Sequence, residues 1–477
     1  MRIVSRCTVS LFTTWLRPLL RVAVSLAAWL GVTVAQAPPA QVDASPKAPN
    51  LLVILLDDWG IDRFDGFPTQ PDTSARTPVL DAFAADNLLF TRAYADPVCS
   101  PSRAAALTGE YGRNTGVGTG FTWFNSHADS FALDLEACRM LPAELRTRGY
   151  RNIAIGKWHL TANLPGSEPY MHPIRAGFDV HDGVITNLVG VRGMSYVDYE
   201  VNLATAEGST QHDVTDGLYL TTRQIDDALR HIEAAGEQPW FTWLALTAPH
   251  APWHKPPQSL VSVDLDSIEH DDNQALYDAM LEAADTEIGR LLQSLDADTR
   301  ANTVVFVMGD NGTPGTAFNK QSESGGKKGF PDEGGIHVPL IVSAPGLAAG
   351  TSAQLVHIVD LHATLLELAG ADALDNDSVS FAPRLRGESG GAREWVYSAR
   401  RRPNGFSDPP REFDRRSLRN DHWKLITQTG SNDQRKSELR FLGDALWGEG
   451  EPVSPSTDES RAARRELQAL LKLIEER

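Results

Sequence analysis

The stretch "PNLLVILLDDWG" places six apolar residues in a row, Leu51 to Leu56, directly before two aspartates. An apolar run without alternation marks a strand covered on both faces, as in a sheet with helices on each side. Three further segments share the design: "YRNIAIGKWHL", "PWFTWLALTAPH" and "NTVVFVMGDNG". Each is a short apolar run that stops abruptly at polar or charged residues. "HVPLIVSAPG" supplies another buried strand. Helical patterns lie between them, in "GLYLTTRQIDDALRHIEAAG", "QALYDAMLEAADTEIGRLLQSL" and "HIVDLHATLLELAG", the last closed by Gly370. Strands alternating with helices predict a layered α/β domain.

The two ends differ from this middle. Arg2, Arg6, Arg17 and Arg21 precede or flank an apolar run from Val22 to Ala35 that ends near "AQAPPAQ". This is the layout of a secretory signal over 1–37, and the run is shorter than the roughly 20 residues a spanning helix needs. The expectation is export, to a periplasm or the medium, with no stable membrane span. Residues 38–48 are Ala/Pro-rich and read as a linker, and 49–375 as the main α/β domain. From 376 to 477 the texture becomes polar, basic and turn-rich, and it finishes in an amphipathic helix after Thr457. This predicts a smaller C-terminal α+β subdomain.

The chain carries 62 acidic against 44 basic side chains, a net charge of −18. That excludes the basic face of a nucleic-acid binder but leaves room for a locally positive pocket that takes an anion. With Cys7 inside the signal, only Cys99 and Cys138 remain, too few for a disulfide scaffold. A Cys99–Cys138 bridge is the bland possibility, and the setting of Cys99 argues against it.

The residues at the strand ends carry the chemistry. The first strand ends in Asp57 and Asp58, the second in Lys157 and His159, the third in His250, and the fourth in Asp310 and Asn311. Ligand sites in open α/β sheets form outside the carboxyl ends of the strands. Asp57, Asp58, Asp310 and Asn311 are hard oxygen donors, a set that suits Ca²⁺ or Mg²⁺ and disfavours zinc. Three carboxylates packed together need a cation among them. Cys99 stands before Ser-Pro-Ser-Arg. Ser100 can cap a helix, Pro101 suits its first turn, Gly109 can close it, and Arg103 can face the side of Cys99 one turn on. From the residues alone Cys99 is a packing residue, a thiol nucleophile or the precursor of something else.

"DPVCSPSRAAALTG", with "PNLLVILLDDWG", "GKWHL", "TAPHAPW", "GDNG", "KKGFPDEGGIHVPLIVSAPG" and "VDLHATLLELAG" in this order, resembles the sulfatase family, whose signature is Cys-x-Pro-Ser-Arg followed by Leu-Thr-Gly. The resemblance covers nearly the whole chain after the signal. It implies an alkaline-phosphatase-like fold with a large central, mostly parallel or mixed sheet flanked by helices. It further implies hydrolysis of an aryl or carbohydrate sulfate monoester, with Cys99 oxidised to formylglycine by a formylglycine-generating enzyme. A hydrated aldehyde offers one hydroxyl to attack sulfur and a second to expel the sulfate, which a thiol cannot do. On this resemblance one calcium ion is held by Asp57, Asp58, Asp310, Asn311 and residue 99. Arg103 supports the nucleophile and the metal. Lys157 and Lys328 neutralise sulfate oxygens. His250 donates to the leaving alcohol, and His159 accepts the proton of the second hydroxyl. Counting back from Glu333-Gly334-Gly335 selects Lys328 over Lys327.

The sequence departs from the family at three places: Gly309 where Ser or Thr is frequent, His337 where arginine is common, and "LRFLGDALWGEG" where the family has "LYDL…DP". His127, His172, His181, His212 and His254, together with Phe121 to Phe124, are either pocket-lining or ordinary core and surface residues. Arg400, Arg401 and Arg402 form a solvated loop or contact a polyanionic glycan. The alternatives left open are a phosphonate or phosphate ester hydrolase of the same superfamily, a thiol hydrolase and a non-catalytic binding protein. The identity of the alcohol and the oligomeric state are not written in the sequence.

Overall fold

The computed structural model describes residues 47–67, 75–123, 130–188, 193–318, 326–406, 413–430, 435–443, 448–454 and 456–476. The signal segment, most of the linker, Phe124 and His127 lie outside the described residues. Residues 47–477 form one compact unit.

Ten strands build the main sheet: β1 (Asn50–Leu56), β2 (Leu88–Phe90), β3 (Arg151–Gly156), β4 (Val180–Gly183), β5 (Tyr199–Thr205), β6 (Gly208–Val214), β7 (Trp240–Ala245), β8 (Thr303–Gly309), β9 (Leu340–Ser343) and β10 (Gly350–Ser352). Their order is β10-β2-β9-β8-β1-β7-β3-β4-β5-β6. The centre is parallel, with β1 between β7 and β8 and β3 beside β7. β9 runs antiparallel to both its neighbours, and β5 and β6 add an antiparallel hairpin at one edge. The sheet is therefore mixed.

The continuous apolar run of β1 has the meaning its pattern predicts. Leu51, Val53 and Leu55 enter one core, and Leu52, Ile54 and Leu56 enter the other. The helix Cys99–Thr108 (α1) covers the first face together with the helix Asp360–Leu368 (α2). The second face lies under the helices Leu220–Glu233 and Asn273–Ser294. Both faces of the central strands are dry, so their only route to solvent is at their ends.

The C-terminal region holds a second, five-stranded antiparallel sheet: β11 (Val396–Arg402), β12 (Phe413–Arg419), β13 (Trp423–Gly430), β14 (Arg435–Phe441) and β15 (Glu451–Pro452). The helix Asp458–Glu476 packs against it, and Thr457 Oγ1 caps that helix by accepting from Ser460 N at 3.1 Å. A buried ionic hub ties the sheets together. Glu333 accepts from Lys424 Nζ at 3.0 Å and from Tyr94 OH at 3.1 Å, and lies 3.3 Å from Arg419 Nη1. Burial disfavours the Glu333 carboxylate, but Lys424, then Arg419, outweigh it and hold its pKa down to about 2. His337 stacks on Tyr94 at 4.9 Å between ring centroids, and its Nε2–H donates to Thr91 O at 3.0 Å, so this departure from the family pattern is a packing residue.

Candidate active site

Strand register assembles the site. Leu56 of β1 is level with Gly309 of β8, Leu55 with Ala245 of β7, and Ala245 with Gly156 of β3. The residues that follow, Asp57, Asp310 and Lys157, therefore leave the sheet at one level. Asp58 turns with φ 76° and His159 with φ 59°, left-handed values uncommon outside glycine and of the kind found at functional sites. Gly309 belongs there for a steric reason, since a Cβ on it would stand 2.0 Å from Trp59 O.

Helix α1 begins at Cys99 itself, with Val98 at the cap and no side-chain cap bond. Ser100 is thus not the cap expected from sequence. Its hydroxyl donates to His159 O at 2.9 Å and accepts from Phe121 N at 3.2 Å, which ties the helix to the two loops that flank it. Gly109 closes the helix at φ 73°, as expected. Cys99 and Cys138 are both free thiols, so the bridge between them does not form.

All ten residues singled out by sequence converge. Asp58 N donates to Asp310 Oδ1 at 3.0 Å, and Asn311 Nδ2 donates to Asp58 Oδ1 at 2.7 Å. Arg103 is fully buried. It donates from Nε and Nη2 to Asp310 Oδ2 at 3.0 and 2.8 Å and from Nη1 to Lys157 O at 2.7 Å. Lys157 Nζ pairs with Asp57 and lies 3.6 Å from Cys99 Sγ. Lys328 Nζ sits 2.5 Å from Asp58 Oδ1, whereas Lys327 is exposed. His159 Nδ1 lies 3.2 Å from Cys99 Sγ, and His250 Nε2 lies 3.9 Å from Asp58 Oδ2.

Carbonyl partners assign the histidine tautomers. His159 Nε2–H donates to Phe121 O at 3.0 Å, which turns the Nδ1 lone pair toward residue 99. His250 Nδ1–H donates to Ala251 O at 2.8 Å, so a proton on its Nε2 makes the ring a cation. Burial, then Lys157, holds the His159 pKa well below its usual value. Burial, then Lys328, lowers that of His250, opposed by Asp57 and Asp58. Burial disfavours ionised Asp57, yet Lys157, His250, Arg103 and Lys328 together keep its pKa far below the carboxylate range. Burial and the Asp57 charge push Asp310 up. The Cys99 thiol is also pushed up by burial, against the pull of Lys157, which is the wrong direction for a thiolate nucleophile.

The donor set fits a hard divalent cation. Asp57 Oδ1 and Asn311 Oδ1 are buried oxygens without a hydrogen-bond partner, and the bond from Asn311 Nδ2 to Asp58 fixes which way that amide points. Such acceptors stay costly unless a proton donor or a cation reaches them. Ligand atoms of Asp57, Cys99 and Asp310 lie within 4.8 Å of one another, as do those of Asp57, Asp58 and His250. Three carboxylates face Arg103, Lys157 and Lys328, so a divalent ion leaves the pocket cationic and receptive to an anion.

Sequence reasoning missed the groups that aim these side chains. Tyr277 OH donates to Asp58 O at 2.7 Å, and Tyr196 OH lies 2.7 Å from His250 O and 2.9 Å from Thr247 O. Neither tyrosine stands in a motif, and Tyr277 sits inside an ordinary helical stripe. The remaining histidines serve packing or surface. His172 is buried with both ring nitrogens bonded, His181 is buried beside Asn202, His254 packs on Tyr196, and His212 is exposed. Phe121 is core, against Phe131, while Trp123 is half-buried beside Tyr170. Arg401 is buried on Tyr397 OH, and Arg400 reaches the site's rim.

Among known families, the sulfatase model matches residues 49–371. N-acetylgalactosamine-6-sulfatase of Rattus norvegicus is 32% identical over 360 residues, covering 68% of this chain and 63% of that protein, so the chain spans under two thirds of that relative's length. The crystal structure of Ps i-CgsB in complex with a neocarrahexaose has a TM-score of 0.71 at 23% identity, over 90% of this chain and 93% of that one. The phosphonate monoester hydrolase SpPMH from Silicibacter pomeroyi has a TM-score of 0.63 at 20% identity, over 89% and 95%. At these identities the two structures speak for the fold.

Proposed function

The chain belongs to the sulfatase family, and from that premise we propose that it hydrolyses sulfate monoesters of a sulfated small molecule or glycan, with a formylglycine made from Cys99 and one calcium ion. The observation that carries the reading is the position of Cys99 Sγ, 3.2 Å from a histidine lone pair and 3.6 Å from a lysine, beside buried oxygens that lack partners.

Asp57, Asp58, Asp310 and Asn311 would hold the calcium, which would supply Lewis-acid polarisation of the ester oxygens and of a nearby hydroxyl. A hydrated formylglycine at position 99 would supply a nucleophilic oxygen and a second hydroxyl for release of the product. Lys157 and Lys328 place two positive charges where sulfate oxygens gain charge. His250 presents Nε2 to the leaving oxygen. Burial and Lys328 disfavour its imidazolium form, Asp57 and Asp58 oppose them only in part, and the ring once protonated at Nε2 is a strong donor that passes its proton to the alcohol. His159, neutral and locked by the Phe121 carbonyl, takes a proton at Nδ1 from the group at position 99. Arg103 holds Asp310 and the Lys157 carbonyl in register and adds no proton chemistry. We further propose export through residues 1–37 and maturation by a formylglycine-generating enzyme. No helix among the described residues is long and apolar enough to cross a membrane.

The test is mass spectrometry of the peptide containing residue 99 from the native host, paired with kcat/KM on an aryl sulfate and the matching aryl phosphonate. An aldehyde at 99 with faster sulfate turnover is expected. An unmodified thiol in a fully active protein refutes the reading, and faster phosphonate turnover reassigns the substrate. Cys99→Ala removes turnover from an enzyme and spares a binding protein.

A further inference from the structure

β3 and β4 pair in parallel, and the pairing runs on beyond their ends. Trp158 N donates to Val184 O and His159 N to Ile185 O, both at 2.9 Å. The chain that leaves β4 therefore travels beside the chain that leaves β3. It brings Asn187, two residues past Ile185, to the His159 ring. There the amide nitrogen of Asn187 lies 3.5 Å from His159 Nε2.

That pairing has the wrong polarity. His159 Nε2 carries the ring hydrogen, because it lies 3.0 Å from the Phe121 carbonyl, a group that only accepts. An amide N–H aimed at the same nitrogen meets another hydrogen. At the other end of the amide, Asn187 Oδ1 is buried with no hydrogen-bond partner. A half-turn of the amide exchanges its two ends, and the bonding around it decides which end faces the ring. With Oδ1 toward Nε2–H, the orphaned acceptor gains a donor and the opposed hydrogens separate. Asn187 also lines a cavity of about 30 Å³ with Tyr170, Thr186 and Glu200, which has room for a water to accept from the displaced Nδ2.

We propose that Asn187 is a positioning residue for His159: its Oδ1 shares the Nε2–H with Phe121 O and so keeps the Nδ1 lone pair on the group at position 99. The sulfate-ester reading above supplies what His159 does, and the proposal rests on it for that role. A ring that accepts at Nδ1 must carry its hydrogen at Nε2. A second acceptor at Nε2 therefore works against the other tautomer and against rotation of the ring. Phe121 and Asn187 reach the ring from separate segments, and two supports fix its plane better than one. Asn187 stands in no motif, since "VITNLV" reads as an ordinary loop.

The experiment has two arms. In protein that keeps the thiol, proton–nitrogen spectra of isotope-labelled histidine report the His159 tautomer and the exchange of its ring hydrogen. The wild type should carry that hydrogen on Nε2 and exchange it slowly. Asn187→Leu should speed the exchange about tenfold or more and bring in the other tautomer, whereas Asn187→Asp, which accepts but cannot donate, should match the wild type. In protein carrying the aldehyde, Asn187→Leu should lower kcat on 4-nitrophenyl sulfate about tenfold with KM changed less than about twofold, and Asn187→Asp should restore most of the loss. A ring hydrogen unmoved by Asn187→Leu overturns the proposal. So does Asn187→Asp as impaired as Asn187→Leu, or a loss that falls on KM alone. Should Asn187→Leu not fold, Asn187→Ala carries the same expectations. If the wild type turns over no sulfate ester, the reading of the reaction fails while the spectra still decide the contact.

Discussion

Replacing Arg103 with methionine tests the charge balance at the strand ends. The guanidinium has no exposure and makes three charge-assisted or backbone bonds, two to Asp310 and one to the Lys157 carbonyl. Removing it leaves three buried carboxylates facing two cations. Breaking a buried ion pair from one side costs about 3–5 kcal/mol. The stranded Lys157 carbonyl adds about 1–3 kcal/mol. A total of about 4–8 kcal/mol is a large part of the roughly 5–15 kcal/mol that holds a domain folded. Arg103→Lys keeps a charge but loses the fork, and should cost about half as much. The assay is urea unfolding at pH 7, with and without calcium in millimolar excess. Calcium at about 100 times its Kd adds about 2.7 kcal/mol to a protein that binds it only when folded. The calcium increment should be larger in the methionine variant, where a divalent cation also answers the uncompensated carboxylate. A loss below about 1 kcal/mol, or midpoints indifferent to calcium in both proteins, would refute the reasoning.

Other consequences are open to measurement. His172 accepts from Trp158 Nε1 at 3.0 Å and donates to Leu133 O at 3.1 Å, so only its neutral form fits, and burial lowers its pKa to about 4. Its unfolded pKa near 6.5 means the unfolded chain binds a proton first. Stability from this group is full above about pH 6.5 and falls by about 2 kcal/mol by pH 5, so His172→Gln should flatten the pH dependence of the urea midpoint across that window. Gly329 has φ +90° and a Cβ there would stand 2.6 Å from Arg400 Nη1, so Gly329→Ala should cost about 1–2 kcal/mol, seen as a lower Tm. Lys424→Met strips the amine from Glu333 and should cost about 3–5 kcal/mol, with partial recovery when Glu449→Gln removes the neighbouring acid.

The central strands and the polar residues at their ends were legible because the physics is local, whereas Cys99, Arg103 and Lys328 were singled out by the resemblance to the family's motifs. An apolar run such as Leu51 to Leu56 announces burial on two faces, and the residue after it must meet solvent or a ligand. Strand direction and edge pairing were not legible. Leu340–Ser343 reads like its parallel neighbours but runs the other way, since direction depends on where the chain has come from. The hairpin 199–214 was missed because "GSTQHDV" is a polar edge strand with little apolar alternation. Ser100 was misplaced because a serine near a helix start serves equally as a cap or as a tie between loops, and only the positions of His159 and Phe121 decide between them. Tyr277 and Tyr196 act through single hydroxyls on carbonyls far away in sequence, which leaves no trace in spacing.

The Glu333 hub bears on how such a molecule can diversify. Its acid comes from the segment that carries Lys328, and its basic partners Arg419 and Lys424 come from the terminal sheet that also supplies Arg400 at the site's rim. A graft that imports a different terminal sheet must bring its own basic pair to face that acid, or the segment of Lys328 inherits a bare charge at the seam. New selectivities are therefore reached more easily by point changes on the outer face of the sheet than by exchanging the sheet whole.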